Sequence, residues 1–303
     1  MQVKVEKQPK STVKLTVTIP LKDVKSAREE VIEEQAKTAN IQGFRRGMAP
    51  KEIVEEKLGI EKIKGLVINK ILKKGYTQAL KENHIAAISN PKVEIKEFDI
   101  NKDFEFTALV ATRPDVKLKD YKKKLRKRYE NKVEQTKKDL EKINKEKLAK
   151  GEKLAEAKAQ LSTSDVLEIL NEESEVEIPD LLIEEETDRM MSKLIDQTQN
   201  LGMSIEQYLR AQNKTADELR EDYRQVAEKS IKAEFVLGHL TQEEKVDATD
   251  EEILETFKTA GLPDAKERLN NPLEKAYVKS ILQKNKLLTK LMEEAEGEQK
   301  DEH

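Results

Sequence analysis

The chain has 303 residues, of which 39% are charged, 36% hydrophobic and 4% aromatic. Average soluble domains run about 25% charged and 45–50% apolar, so one large core is excluded and thin local cores spread over two or three domains of an elongated protein are expected. Cysteine is absent, which excludes disulfides, thiolate catalysis and zinc–thiolate sites; the net charge of −3 hides 39 basic against 25 acidic side chains in residues 1–160 and 18 against 35 in residues 161–303.

Residues 1–20 alternate at Val3, Val5, Val13, Leu15, Val17 and Ile19 and predict a strand ended by Pro20. Leu21, Val24, Ala27 and Val31 then follow helical spacing to about Ala39. A loop from Gln42 to Ala49 leads to Pro50, expected at the first position of a short helix that ends at Gly59. A longer helix carries Ile60, Ile63, Val67, Ile71, Leu72, Ala79 and Leu80 on one side. Alternation returns at Val93-Glu-Ile95 and at Phe104 to Val110, and Arg113-Pro114 closes a small α+β domain. Residues 121–160 hold 15 basic and 7 acidic side chains with few large apolar ones, and read as two solvated helices or one long helix broken near Gly151. From Ser164 the pattern is helix after helix. Ser164 and Asp165 are candidate caps, Pro179 opens a helix through Met190 and Ile195, and Thr215 with Glu218 and Thr249 with Glu252 form capping boxes. Pro272 opens the last helix, through Tyr277, Ile281, Leu288 and Leu291. The tail from Glu293 is acidic and expected to be disordered.

The fold class expected is therefore an α+β N-terminal domain followed by a mostly α-helical, elongated C-terminal domain. Its parts are 1–118, a charged helical linker at 119–164, a helical domain at 165–292 and the tail at 293–303.

Catalytic signals are missing. His84, His239 and His303 are scattered, with no HExxH or related spacing, so no metal is expected. No glycine-rich phosphate loop is present, so neither nucleotide use nor any cofactor is expected. Carboxylates fall in helical charge runs such as Glu184-Glu185-Glu186, and no pair is singled out for acid–base work. No apolar run approaches the roughly 20 residues of a membrane span, no apolar segment of signal-peptide length opens the chain, and cytoplasmic location without a membrane partner is the expectation. The basic first half suits a polyanion such as RNA; solvated helix faces with segregated charge are the plainer reading.

One motif is sharp. In Gly43-Phe44-Arg45-Arg46-Gly47-Met48-Ala49-Pro50, two glycines bracket an aromatic ring and two guanidinium groups. Such a tip can insert its ring into a pocket while the arginines fork onto carboxylates or phosphates; alternatively Phe44 folds back into the core and the arginines are incidental. The stretch resembles the ribosome-docking signature of the trigger factor family, Gly-Phe-Arg, a basic residue, Gly, two variable residues and Pro, with Arg46 where many members have lysine. The surrounding order of strand, helix, loop, short helix, long helix and strands, over about 1–118, is similar too. A weaker likeness runs from about 165 to 292, where Val176-Glu-Ile-Pro179 and the following helix resemble the opening of the family's helical cradle domain.

The resemblance implies an ATP-independent chaperone. Gly43, Phe44, Arg45, Arg46, Gly47 and Pro50 would dock on the large ribosomal subunit beside the exit tunnel, on protein and rRNA. Basic residues of the N-terminal domain, with 122–128, would add contact to rRNA, and helical arms would hold nascent polypeptides. Met190, Met191 and Met203 are candidate client contacts, with helix–helix core as the other reading. Residues 119–164 are too short and too charged for the prolyl isomerase domain typical of the family, so no enzyme activity is expected. Self-association stays open. The alternative is a basic RNA- or ribosome-binding factor that holds no client.

Overall fold

The computed structural model describes residues 1–38, 44, 45, 47, 50–95, 97–150 and 152–297. In chain order the elements are β1 (Gln2–Gln8), β2 (Thr12–Ile19), α1 (Leu21–Thr38), α2 (Lys51–Leu58), α3 (Ile60–Glu82), β3 (Lys92–Ile95), β4 (Phe104–Ala111), β5 (Val116–Leu118), α4 (Tyr121–Ala149), α5 (Thr163–Glu172), β6 (Ser174–Val176), α6 (Asp180–Asn200), α7 (Ile205–Gln212), α8 (Ala216–Glu243), α9 (Asp250–Thr259), α10 (Ala265–Asn270) and α11 (Pro272–Glu296). The α+β start and the helical remainder are as expected. Two compact units form, Met1–Pro114 with Glu177–Leu201, and Asp115–Val176 with the chain from Gly202 on.

The first unit is built on an antiparallel sheet in the order β1-β2-β4-β3. Residues 1–20 make two strands rather than one. Lys10 and Ser11 both take left-handed φ values, 55° and 49°, and fold Gln2–Gln8 back on Thr12–Ile19. Neither is glycine, so the tip lacks the usual hairpin signal; Pro9, just before it, is the one residue that marks a break in the run. Alternate residues Val13, Leu15, Val17 and Ile19 of β2, and Phe104, Phe106, Ala108 and Val110 of β4, are buried with Ile63, Val67, Ile71 and Ala79 of α3 and Val24, Ala27 and Val31 of α1. Gly75 lets α3 approach the sheet closely, since a Cβ there would lie 2.8 Å from Ile19 Cδ1. α6 packs against β4, and Lys10 Nζ reaches Asp180 Oδ1 at 2.8 Å. The helix opened by Pro179 is thus part of the first unit, not of a helical domain spanning 165–292.

The second unit has a separate core. Tyr121 and Leu125 of α4, Leu161, Val166, Ile169 and Leu170 around α5, Val236, Leu237 and Leu240 of α8, and Leu287, Leu288, Leu291 and Ala295 of α11 are buried together. α4 is one helix of 29 residues with neither glycine nor proline, and i,i+4 pairs such as Glu134–Lys138 (2.6 Å) run along it. Its far half is not free of the chain. Asn144 binds the backbone of the returning segment in both directions, donating from Nδ2 to Ala155 O (3.1 Å) and accepting from Ala155 N–H at Oδ1 (2.7 Å). α11 continues to Glu296, so Glu293–Glu296, expected in a disordered tail, are helical; Ala295 is buried, which draws the last turn onto the core. Residues 298–303 lie outside the described residues.

Helix starts follow local chemistry. Thr215–Glu218 and Thr249–Glu252 form the expected capping boxes, and Ser204–Gln207 forms a third. At α5 the cap is Ser162, two residues before the expected one, with Asp165 at the third helical position. Asp165 is buried, yet it accepts from Ser162 N–H at 2.8 Å and from the Ser162 hydroxyl, and it faces Arg128 at 3.3 Å and Lys132. Burial alone raises its pKa, but the Lys132 ammonium and the Ser162 donors outweigh that and hold the carboxyl well below the usual range. A carboxyl lowered in the folded state stabilises above its unfolded pKa of about 4, and the contribution is lost as pH falls through that value towards the folded one. Asp165→Asn is expected to cost about 1–3 kcal/mol in urea unfolding at neutral pH. It is also expected to flatten the fall in stability on acidification; equal unfolding curves for the two proteins at neutral pH would contradict this.

Candidate functional site

The glycine-bracketed loop joins α1 to α2 in the first unit. α1 buries Val24, Ala27, Val31 and Ile32, α2 buries Val54, and both pack with α3. Charge fixes the three helices further. Arg28 pairs with Glu55 and Lys51 with Glu33, which ties α1 to α2 on both sides of the loop. Lys70 of α3 reaches Glu30 at 3.0 Å and Glu34 at 2.6 Å. The Lys51 and Lys70 ammonium groups, mainly by direct hydrogen bonding, lower the pKa of Glu33 and Glu30 respectively. These pairs are largely exposed, so they fix geometry more than they add stability.

On this platform the described loop residues face outward. Phe44 is 41% exposed, and Arg45, Gly47 and Pro50 are exposed. Among the described residues no ion pair engages Arg45. Gly47 has φ +85°, a conformation that favours glycine, and Lys37 O lies 3.8 Å from where its Cβ would be. Pro50 precedes the helix rather than beginning it: its ψ of 147° is extended, and its carbonyl accepts from Val54 N–H at 3.0 Å. Of the expected docking residues, Gly43 and Arg46 lie outside the described residues. The reading in which Phe44 folds into the core does not match its exposure.

The basic run Lys122 to Arg128, expected to reach RNA, is instead engaged within the second unit. Lys122 pairs with Glu244 (2.8 Å) and Glu294 (3.4 Å), Lys124 with Glu173 (3.4 Å), and Arg128 with Glu168 (3.0 Å) and Asp165. Lys123 pairs locally with Asp120 at 2.7 Å and Arg126 with Glu130 at 3.6 Å. The Glu244 carboxylate, by hydrogen bonding, raises the Lys122 pKa above its ordinary value. Lys127 alone of the run makes no ion pair among the described residues.

Apolar surface is dispersed. Met190 and Met191 are half-buried on α6 in the first unit; Met203 is exposed before α7 in the second. A strongly exposed stripe lies on the first turns of the last helix, the helix expected through Tyr277, Ile281, Leu288 and Leu291. Leu273 is 82% and Tyr277 69% exposed, with Ile281 one turn further on and Leu262 also exposed. Their i, i+4, i+8 spacing reads as a buried face, but only the later turns, with Leu287, Leu288 and Leu291, meet the core. Among the described residues no group of three or more His, Cys, Asp or Glu is placed to hold a metal ion, and no helix is long and apolar enough to cross a membrane.

Residues 1–147 match the family model described as bacterial trigger factor protein (TF), and residues 138–293 match the model of the bacterial trigger factor C-terminus. Curated relatives include trigger factor of Corynebacterium jeikeium (strain K411), 35% identical over 121 residues, which make up 40% of this chain and 23% of the relative. Trigger factor of Bacillus cytotoxicus is 33% identical over 122 residues, 40% of this chain and 29% of the relative. The chain thus spans about a quarter of the length of the curated relatives it matches. A solved chain from a study of promiscuous substrate recognition in folding and assembly activities of the trigger factor chaperone shares the fold, with a TM-score of 0.60 at 17% identity over 97% of this chain and 100% of that one. With the C-terminal model alone covering more than half of its residues, this chain belongs to the trigger factor family.

Proposed function

We propose that this chain is an ATP-independent chaperone that docks through its 43–50 loop on the large ribosomal subunit near the exit tunnel and holds nascent polypeptides in the cytoplasm. The observation that carries the reading is the outward Phe44 and Arg45, set on a loop whose two ends are tied by Arg28–Glu55 and Lys51–Glu33. A ring and guanidinium groups on a braced tip are suited to an anchor–pocket contact with charge-assisted bonds to carboxylate or phosphate. Gly43, Arg46, Gly47 and Pro50 complete the docking motif. Client holding rests on dispersed apolar surface: the Leu273–Tyr277–Ile281 stripe is the largest contributor, with Met190, Met191 and Met203 as adaptable secondary contacts. The region that would house a prolyl isomerase domain is given over to α4, and we read the chain as lacking that activity.

Replacing Phe44, Arg45 and Arg46 together by alanine is expected to abolish co-sedimentation with ribosomes at unchanged circular dichroism. Anchors of this type cost about 1–3 kcal/mol each when truncated, so three remove several orders of magnitude of affinity. Undiminished co-sedimentation of a folded variant would sink the docking reading.

Client holding is expected to suppress aggregation of a denatured protein without ATP and to survive high salt, because apolar burial is not screened whereas loop docking is. Leu273→Ser with Tyr277→Ser is expected to weaken suppression several-fold in light scattering while leaving ribosome binding intact. Suppression that requires ATP, or that is unaffected by the double change, speaks against this assignment. A basic RNA-binding factor without client holding would show no suppression at all.

A further inference from the structure

We infer that β1 is a self-association edge, on which a second copy of this chain adds its own β1, antiparallel and two-fold about Val5. β1 lies at one end of the sheet order and pairs on one side only, with β2, from Gln2↔Thr18 to Gln8↔Thr12. Among the described residues no strand or backbone hydrogen bond covers its outer edge. The strand is seven residues long, without proline and in continuous register, so it keeps a row of N–H and C=O groups that another strand can use. The opposite edge suits this less: β3 has four residues, follows Pro91, and its Lys92 is engaged by Glu184 at 3.5 Å.

Charge selects the partner and the register. Val3, Val5 and Lys7 lie opposite Val17, Leu15 and Val13 and share their core face; Gln2, Lys4, Glu6 and Gln8 lie on the other. Directly opposed residues of an antiparallel pair are of the same hydrogen-bonding type, so two copies of β1 can meet only with like faces together. A two-fold at Lys4 sets Lys4 against its own copy, and a two-fold at Glu6 sets two carboxylates together. A two-fold at Val5 opposes Lys4 to Glu6 twice, sets Val5 on Val5 and Gln2 on Gln8, and pairs all seven residues; centres nearer either end pair fewer. Lys7 then meets Val3, over which its stem can lie while the ammonium reaches water. Val5 is 37% exposed although it is on the core face, and the second copy would cover it. Lys4 now pairs with Glu6 of its own strand at 3.1 Å, with both side chains largely exposed, so exchanging partners across the two-fold costs little. The inference is independent of the docking and client readings.

The test uses the full chain in sedimentation equilibrium and in disulfide trapping. One strand pair covers less than the roughly 1,200 Å² of a standard interface, so association is expected to be weak and to show at about 100 µM and above. Lys4→Glu and Glu6→Lys alone each place like charges together at both symmetric positions and are expected to weaken association about fivefold or more. The two changes combined restore Lys–Glu opposition and are expected to recover it, with circular dichroism unchanged throughout. Since the single changes move net charge in opposite directions, a general charge effect would not weaken both. The chain has no cysteine, so one can be introduced as a position-specific probe. Val5→Cys is expected to form a disulfide dimer on mild oxidation, because opposed Cα atoms at about 4.5–5.5 Å fall within disulfide reach. Val3→Cys and Lys7→Cys are expected to stay reduced, each lying about 13 Å along the strands from its own copy. A mass that stays monomeric up to about 500 µM overturns the inference, well above where a weak interface of this kind should show. So does a dimer that cross-links equally at all three positions, or one that the single charge changes leave intact, since it would use another surface.

Discussion

Cations of α4 meet carboxylates of α5, α8 and α11, and the second unit depends on that meeting. A chain with 39% charged residues has little apolar surface to bury, and α4 buries Tyr121 and Leu125 in the core it joins, with Tyr129 partly buried against it. Burial of two such side chains stabilises by about 1.5–3 kcal/mol each. An ion pair as exposed as Lys122–Glu244 adds about 0–1 kcal/mol. The ion pairs therefore do not outweigh the core. Their larger role is to let a helix with six cations in its first eight residues lie against its neighbours without self-repulsion. Asp165 shows the strongest form of this, a buried carboxylate that caps its own helix and receives Arg128 and Lys132 of another.

The same pairing changes what the charge asymmetry means. A basic first half and an acidic second half look in sequence like one face for a polyanion and another that repels it. Much of that excess is spent within the second unit, where Glu173, Glu244 and Glu294 take up Lys124 and Lys122. Cations without an acidic partner among the described residues remain in both units, Lys73, Lys74 and Lys81 on α3 and Lys127, Lys137 and Lys142 on α4. Apolar surface follows a similar logic of shortage. α11 meets the core with its later turns only, and its first turns leave Leu273 and Tyr277 in solvent. A stripe of that kind suits adaptable, weak contacts rather than one tight partner.

Sequence legibility followed the range of the interaction. Local signals were readable: the boxes at Thr215 and Thr249 and the strand and helices of the α+β start rest on residues within a few positions of each other. The Lys10–Ser11 turn was signalled only by Pro9, because non-glycine residues take left-handed φ there under the constraint of strand pairing. Nor was the placement of α6 on β4, or the burial pattern of α11. Periodicity tells which residues share a face but not whether anything covers that face. The fate of Lys122, Lys124 and Arg128 depended on acids of distant segments, Glu244 and Glu294, Glu173, and Asp165 and Glu168, which no local window contains.

One comparison tests this division of charge most directly. Lys122, Lys124 and Arg128 are changed together to glutamine, and urea unfolding and oligouridylate affinity are measured on the same protein. If these cations serve the second unit, the unfolding midpoint falls while RNA affinity stays at the wild-type value. An unchanged midpoint with a clear loss of RNA affinity would show that the run faces an external polyanion after all.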